Sequence, residues 1–221
     1  MSALWLPAPV WAQVATTFGL ASDYRLRGLS LTDRNPALIL SLAYDHPSGA
    51  YAGGTMVALA DAQSAHLVGT TEYAGFTHPL GGDLLLDAGA SYQDYTLYFE
   101  RRSKLRYAEF YLGVIWRDLS GHLYFKPNNP RDGVNSAYGD VNWSLRPARD
   151  WRISAHLGAN ERLNGTAERD GGRWRYDTRL GLTREFTHAE LELAWTASAP
   201  ERIPHPVQTR PGVAIGGRYF F

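Results

Sequence analysis

The chain has 221 residues, 13% of them aromatic, with 22 Gly, no Cys, and 22 Lys+Arg against 22 Asp+Glu. A net charge of zero removes the electrostatic case for a nucleic-acid binder, which carries a basic excess; the lack of Cys removes disulfides, thiolate metal sites and Cys nucleophiles. No stretch approaches the roughly 18 to 20 apolar residues of a membrane helix, so a chain like this can span a bilayer only as a closed barrel.

Residues 1–12 read as the remnant of a secretory signal, an apolar stretch ending in Val10-Trp11-Ala12, with small residues where a signal peptidase reads. An ordinary apolar arm is the alternative. Residues 13–221 then form one domain, because no internal repeat or Pro/Gly/Ser linker divides them. From Val14 onward polar and apolar residues alternate with the period of two that marks strands, and about twelve can be counted, an even number as in bacterial single-chain barrels.

In the first, Phe18, Leu20, Tyr24 and Leu26 oppose Asp23, Arg25 and Arg27. The same split recurs: Leu38, Leu40, Leu42 and Tyr44 against Ser41 and Asp45; Leu84, Leu86, Ala88 and Tyr92 against Asp87, Ser91 and Gln93. Phe110, Leu112, Val114 and Trp116 oppose Glu109, Tyr111 and Arg117; Val141, Trp143 and Leu145 oppose Tyr138, Asp140, Asn142 and Arg146. Further on, Trp151, Ile153 and Leu157 oppose Arg152, Ser154, His156 and Asn160, and Trp174, Tyr176, Leu180 and Leu182 oppose Arg175, Asp177 and Arg179. Leu191, Leu193 and Trp195 oppose Glu190 and Glu192. The alternation is less regular over residues 51–59, 67–73 and 123–125.

Two packed soluble sheets could alternate in the same way. Aromatic placement separates the cases: Tyr24, Tyr44, Tyr92, Trp116, Trp151, Trp174, Trp195 and Tyr219 fall towards the ends of apolar faces, where membrane barrels carry aromatic girdles. The connections agree. Short turns over residues 46–49, 77–83, 118–121, 147–150 and 187–188 alternate with longer, more polar loops over 30–36, 60–66, 96–106, 127–136, 161–172 and 198–210. Short periplasmic turns and longer outer loops are the barrel pattern, and it puts both termini in the periplasm.

The last strand places Val213, Ile215, Gly217, Tyr219 and Phe221 on one face. A terminal Phe with Tyr two residues before it resembles the closing strand of bacterial outer-membrane barrels, which implies that Tyr219 and Phe221 form the signal read by the barrel-assembly machinery. The opening residues carry a second likeness. Ser22-Asp23-Tyr24, Arg27-Gly28, Ser30, Thr32-Asp33 and Pro36-Ala37, followed by Tyr44, His46, Ser48-Gly49 and Tyr51-Ala52-Gly53, resemble the start of the TorF-type putative porin family, over about a fifth of the chain. The resemblance implies an outer-membrane barrel of a Gram-negative bacterium.

The leading functional expectation is a porin-like barrel giving small solutes or ions passive diffusion through a narrow polar lumen, with outer-membrane lipid around it. The expected lumen residues are Asp23, Arg25, Arg27, Asp45, Glu109, Arg117, Asp140, Arg152, Arg175, Asp177, Arg179, Glu190 and Glu192, with Glu72 also counted inward. Arg25 and Arg27 could be a basic patch or the partners of inward carboxylates such as Asp45 and Asp23. Twelve strands close to a radius of about 12 Å, which leaves a gap on the order of 10 Å between inward side chains. An occluded structural or binding barrel is the first alternative and a lipid-modifying enzyme the second. For the latter the nearest constellation is Ser154 and His156 with Asn160, but residues two apart on a strand hold their Cβ atoms about 6.5 to 7 Å apart, too far for a Ser–His hydrogen bond. No cofactor, metal or catalytic motif is found.

Overall fold

A computed structural model describes residues 12–60, 65–97, 103–127, 134–164, 174–198 and 210–221. Fourteen strands follow in order: β1 (Gln13–Ala21), β2 (Arg25–Leu26), β3 (Leu29–Ser30), β4 (Ala37–Asp45), β5 (Ala50–Ala60), β6 (Ala65–Gly81), β7 (Leu84–Leu97), β8 (Ser103–Trp116), β9 (Leu119–Lys126), β10 (Ser136–Ala148), β11 (Trp151–Arg162), β12 (Trp174–Glu185), β13 (Ala189–Ser198) and β14 (Gly212–Phe220). All except β2 and β3 join one closed antiparallel barrel in which each strand pairs with its chain neighbours and β1 also pairs with β14. The expected twelve wall strands are therefore present. The less regular stretches at 51–59, 67–73 and 123–125 lie in β5, β6 and β9, and β6 is the longest strand of all.

The closing pair runs from Thr17 opposite Phe220 to Ala21 opposite Gly216, and Phe221 donates its backbone N–H to Thr16 at 3.2 Å. Closure gives every wall strand a partner on both sides, which is what a strand needs where no water can hydrogen-bond its backbone. The outward face is apolar: Leu42, Leu112, Leu123, Leu157, Leu180, Val213 and Ile215 are each exposed on it. An exposed apolar belt of this extent is anomalous for a soluble monomer and suits a lipid-facing barrel wall. Tyr44, Tyr92, Trp116, Trp151, Trp174, Trp195 and Tyr219 all lie on this face.

The tight turns are shorter than the sequence suggests. Strand β6 runs to Gly81 and leaves 82–83 as the turn, β9 begins at Leu119, and β10 continues to Ala148. On the other end the loops at 61–64, 98–102, 128–133, 165–173 and 199–209 fall outside the described residues, as does the expected signal remnant up to residue 11. The loop expected over 96–106 is largely strand, since Thr96 pairs with Lys104 and Asp94 with Arg106.

The first strand is where the expectation fails. Strand β1 stops at Ala21, Ser22 still bonds Ile215 of β14, and residues 23–36 leave the wall; they carry the small β2–β3 hairpin, which pairs only with itself. Tyr24 and Leu26, expected on the lipid face, pack instead against an interior cluster of Leu31, Ala37, Val57, Val68 and Tyr95, all fully buried, with Leu29, Leu59 and Leu105 beside them. Glu72 is also corrected: it stands opposite Gly54 and Tyr92, on the outward face, and is exposed.

Tyr219 and Phe221 meet edge-on at 5.0 Å between ring centroids on the closing strand. Replacing both with Ala is expected to abolish the heat-modifiable gel mobility of a folded barrel in the membrane fraction, while the chain is still exported. Undiminished folded protein in that fraction would contradict a closing role for these rings.

Candidate pore and its lining

The hairpin is built from the opening motif, and the chemistry of that motif explains its shape. At its tip, Arg27 and Gly28 have φ of 48° and 77°, the two positive values of the two-residue turn that matches strand twist. A side chain at Gly28 would collide with Ser198 and meet the Asp177 Cβ at 3.1 Å, so glycine serves both the backbone conformation and the close approach to the wall. Asp23 ties the base together. Its carboxylate accepts from Arg25 Nε at 2.6 Å, from Ser30 Oγ at 2.5 Å and from Thr32 Oγ1 at 3.3 Å. Thr32 Oγ1 accepts the Tyr24 N–H at 3.0 Å, and the Asn35 side chain donates to the Thr32 carbonyl at 2.9 Å.

From this base the hairpin reaches across the lumen. Its apolar side sits on β5, β6, β7 and β8 through Val57, Val68, Tyr95 and Leu105. Arg27 donates to both carboxylate oxygens of Glu109 on β8, at 2.8 and 2.6 Å, and its guanidinium lies over the rings of Tyr138 on β10 and Tyr124 on β9, at 3.9 and 5.1 Å. Gly28 abuts β12 and β13. Arg25 donates to the Arg210 carbonyl at 3.0 Å and packs beside Gly212, where β14 begins. A bidentate, charge-assisted pair is the stronger kind of contact, and here it clasps the hairpin tip to the opposite wall.

Beneath the tip lies a belt of hydrogen-bonded polar groups on the inner wall. Tyr51 donates to Asp87 at 2.5 Å, and Asp87 meets His122 at 2.9 Å. His122 is 3.8 Å from Asp140, which accepts from Asn142 at 3.0 Å. His156 is 2.7 Å from Asn142 and 2.8 Å from Asp177, to which Tyr138 also donates at 3.1 Å. Both ring nitrogens of His156 are thus engaged, and none remains for Ser154, so the pair does not form a nucleophile with its base. The Tyr rings lie along the wall rather than into the lumen, because facing positions are glycine: a Cβ on Gly89 would meet the Tyr111 ring and the Ala74 carbonyl oxygen at 2.5 Å.

A cavity of about 780 Å³ occupies the lumen below the hairpin, between this belt and a wall of small residues that includes Ala194, Ala214 and Gly216. A second, of about 350 Å³, shares Asn142, His156 and Arg179 with it and leads to the end with the tight turns. Arginines crowd this mouth. Arg179 meets Glu192 at 2.6 Å, Arg218 meets Glu190 at 2.5 Å, and Arg152 bridges Glu190 at 2.8 Å and Glu185 at 3.1 Å. Arg146 joins Glu185 at 3.3 Å.

The expected lumen residues sort accordingly. Asp23, Arg25 and Arg27 are in the lumen but on the hairpin, not on β1. Glu109, Asp140, Arg152, Asp177, Arg179, Glu190 and Glu192 line the wall, most of them in pairs. Arg175 stands on the inward face of β12 opposite Asn160. Asp45 is at the exposed end of β4 opposite Gln13, too far along to line the central cavity. Arg117 is a correction: it occupies the turn after β8 with φ of 52° and pairs with Asp83 at 2.6 Å, so it rims the mouth instead of lining the barrel. The sequence reading missed the central roles of Asp87, His122 and Tyr138. Their inward parity was visible, but nothing in the alternation marks which polar residues of different strands fall in one register row.

Three solved structures with the same fold are porins. The NanC porin superposes with a TM-score of 0.61 at 10% identity, over 95% of this chain and 100% of that one. The KdgM porin gives 0.56 at 12% identity, over 94% and 99%, and its complex with disordered oligogalacturonate gives 0.53 at 13%, over 96% and 99%. At these identities the likeness is one of fold. No curated protein matches the chain in sequence. A family model does, over residues 8–202, a span that takes in the lumen hairpin and all wall strands but β14; the chain belongs to the bacterial protein family of unknown function Gcw_chp.

Proposed function

We propose that this chain is an outer-membrane porin-like barrel that gives small solutes a narrow polar path, with the 23–36 hairpin as its constriction. The observation that carries this is the polar interior, with a cavity of about 780 Å³ below the hairpin and one of about 350 Å³ towards the mouth that share Asn142, His156 and Arg179 in their linings. A barrel of eight strands is filled by its side chains and one of 16 to 18 holds an open channel; twelve strands with an inserted hairpin fall between. The porin neighbours and the resemblance of the opening motif to the TorF-type family support the same reading. In it the longer loops face outward and both termini lie in the periplasm, where residues 1–12 are a secretory remnant and the assembly machinery reads the C-terminal strand.

The occluded barrel is the second reading, favoured by one observation: the hairpin touches strands on every side of the lumen. Recording in planar bilayers separates the two. Purified, folded protein is expected to give channel events of small unitary conductance, with glucose-sized solutes admitted and larger polymers excluded. A folded barrel that gives no events is a closed one.

The clasp has its own test. Replacing Glu109 with Ala leaves the Arg27 guanidinium unpaired among the Tyr124 and Tyr138 rings, a loss of about 3–5 kcal/mol for a buried pair broken on one side. Replacing both members, Arg27→Met with Glu109→Leu, is expected to cost much less. The midpoint of urea unfolding, followed by gel mobility, should therefore fall further in the single variant than in the double. Equal midpoints would mean that the pair carries no clasp.

A further inference from the structure

The formal charges of the lumen come close to balancing, yet their placement does not. In most of the Arg–Glu pairs of the mouth the guanidinium is the more exposed member, Arg152–Glu185 being the even one. Side-chain exposure is 47% for Arg218 against 8% for Glu190, 38% for Arg179 against 16% for Glu192, and 61% for Arg146 against 25% for Glu185. The cause is geometric, since the longer Arg stem carries its charge beyond a shorter Glu that leaves the same wall. The carboxylates of the central belt are hidden as well: Asp87 and Asp177 are buried among the Tyr and His groups that bond them. Of the exposed acids among the described residues, Glu72 faces outward, Asp33 lies in the loop after the hairpin, Asp45 and Asp83 stand at strand ends, and Asp118 lies in a tight turn at the edge of the mouth cavity.

A guanidinium has five donors and a Glu partner occupies at most two, so each of these arginines retains N–H groups directed at the passage. Ser144, Ser154 and Asn142 line the same space and add neutral polar groups. We infer that the mouth of the lumen is a selectivity site for small carboxylate-bearing solutes: it takes them in preference to neutral solutes and to cations, because its ion pairs are polarised towards the passage and not because the barrel carries net charge. Carboxylate is the group the planar Arg fork matches in two parallel bonds. In a confined space of low dielectric, charges at such a distance act with less screening than in bulk water and bias which ions enter. The inference rests on the pore reading above.

The test uses the whole barrel in planar bilayers and in liposomes. Under a tenfold KCl gradient the reversal potential should have the sign of chloride preference, and liposomes should admit glucuronate faster than glucose. The decisive variant is Arg179→Gln with Glu192→Gln, which removes one polarised pair and leaves the formal charge unchanged. Its reversal potential should move towards zero and its glucuronate-to-glucose ratio should fall by a factor of about two or more, with gel mobility confirming the fold. Channels that prefer potassium, or that admit glucose as fast as glucuronate, would overturn this inference while leaving the pore intact. Unchanged selectivity in the folded double variant would overturn it too, and should that variant not fold, the wild-type potential and flux ratio decide alone. Absence of any channel would overturn both readings together.

Discussion

The constraint on which the rest depends is closure of the sheet. Inside a bilayer an unpaired backbone N–H or C=O costs several kcal/mol, and the short β1 must therefore pair on one edge with β4 and on the other with β14. Once the sheet is closed, the alternation of side chains gives two chemically separate surfaces. The outside carries the leucines, valines and aromatic rings, and the inside collects most of the charges on the strands, with Glu72, Asp94, Arg106 and Arg184 among those on the outer face. No conventional apolar core is needed for the barrel wall. The one cluster of fully buried apolar side chains among the described residues is the seat of the hairpin.

That hairpin changes what the barrel can do. An empty twelve-stranded barrel would have a lumen set by its wall side chains alone; here a segment attached to β1 and β4 crosses it, anchored by apolar packing on β5 to β8 and by the Arg27–Glu109 pair further along β8. On the proposed pore reading the width of the passage depends on local contacts of a few residues, which is a finer control than strand number offers. The interior ion pairs have a second consequence. They satisfy one another within the wall, so the barrel tolerates many charges in a confined space, and in most of these pairs the longer Arg leaves the guanidinium as the more exposed member.

Much of the fold is legible from sequence because period-two alternation is a strong signal where one face meets lipid and the other meets water. It fixes the wall strands and the outward aromatics such as Trp116 and Trp174. The hairpin is missed because Tyr24 and Leu26 continue the parity of Phe18 and Leu20 on β1, although they face an interior wall and not lipid. A signal was present at the other end of that contact: Val57, Leu59 and Leu105 are apolar at inward positions, where a water-filled lumen calls for polar residues, and an apolar inward patch requires something to cover it. The Leu-Arg-Gly-Leu turn signal within the same stretch points the same way. The misplaced residues have an equally local origin. Arg117 follows the parity of β8 but comes one residue after the strand ends, and Glu72 lies on β6 beyond the extra residue Val68, where Val57 stands opposite Gly69 and Ala58 opposite Leu67, so that the parity read from Leu67 is reversed. Which charges pair across strands depends on register, and register is set by turns and bulges together.

The central claim is that the hairpin, not the wall, sets the width of the passage, and single-channel conductance of a barrel lacking it tests that most directly. Replacing residues 25–30 with a short Gly-Ser link keeps β1 and β4 joined and leaves every wall strand intact. The account predicts that this folded barrel conducts several-fold more than the wild type and admits larger neutral polymers. A folded barrel without the hairpin whose conductance and size limit equal those of the wild type would contradict it.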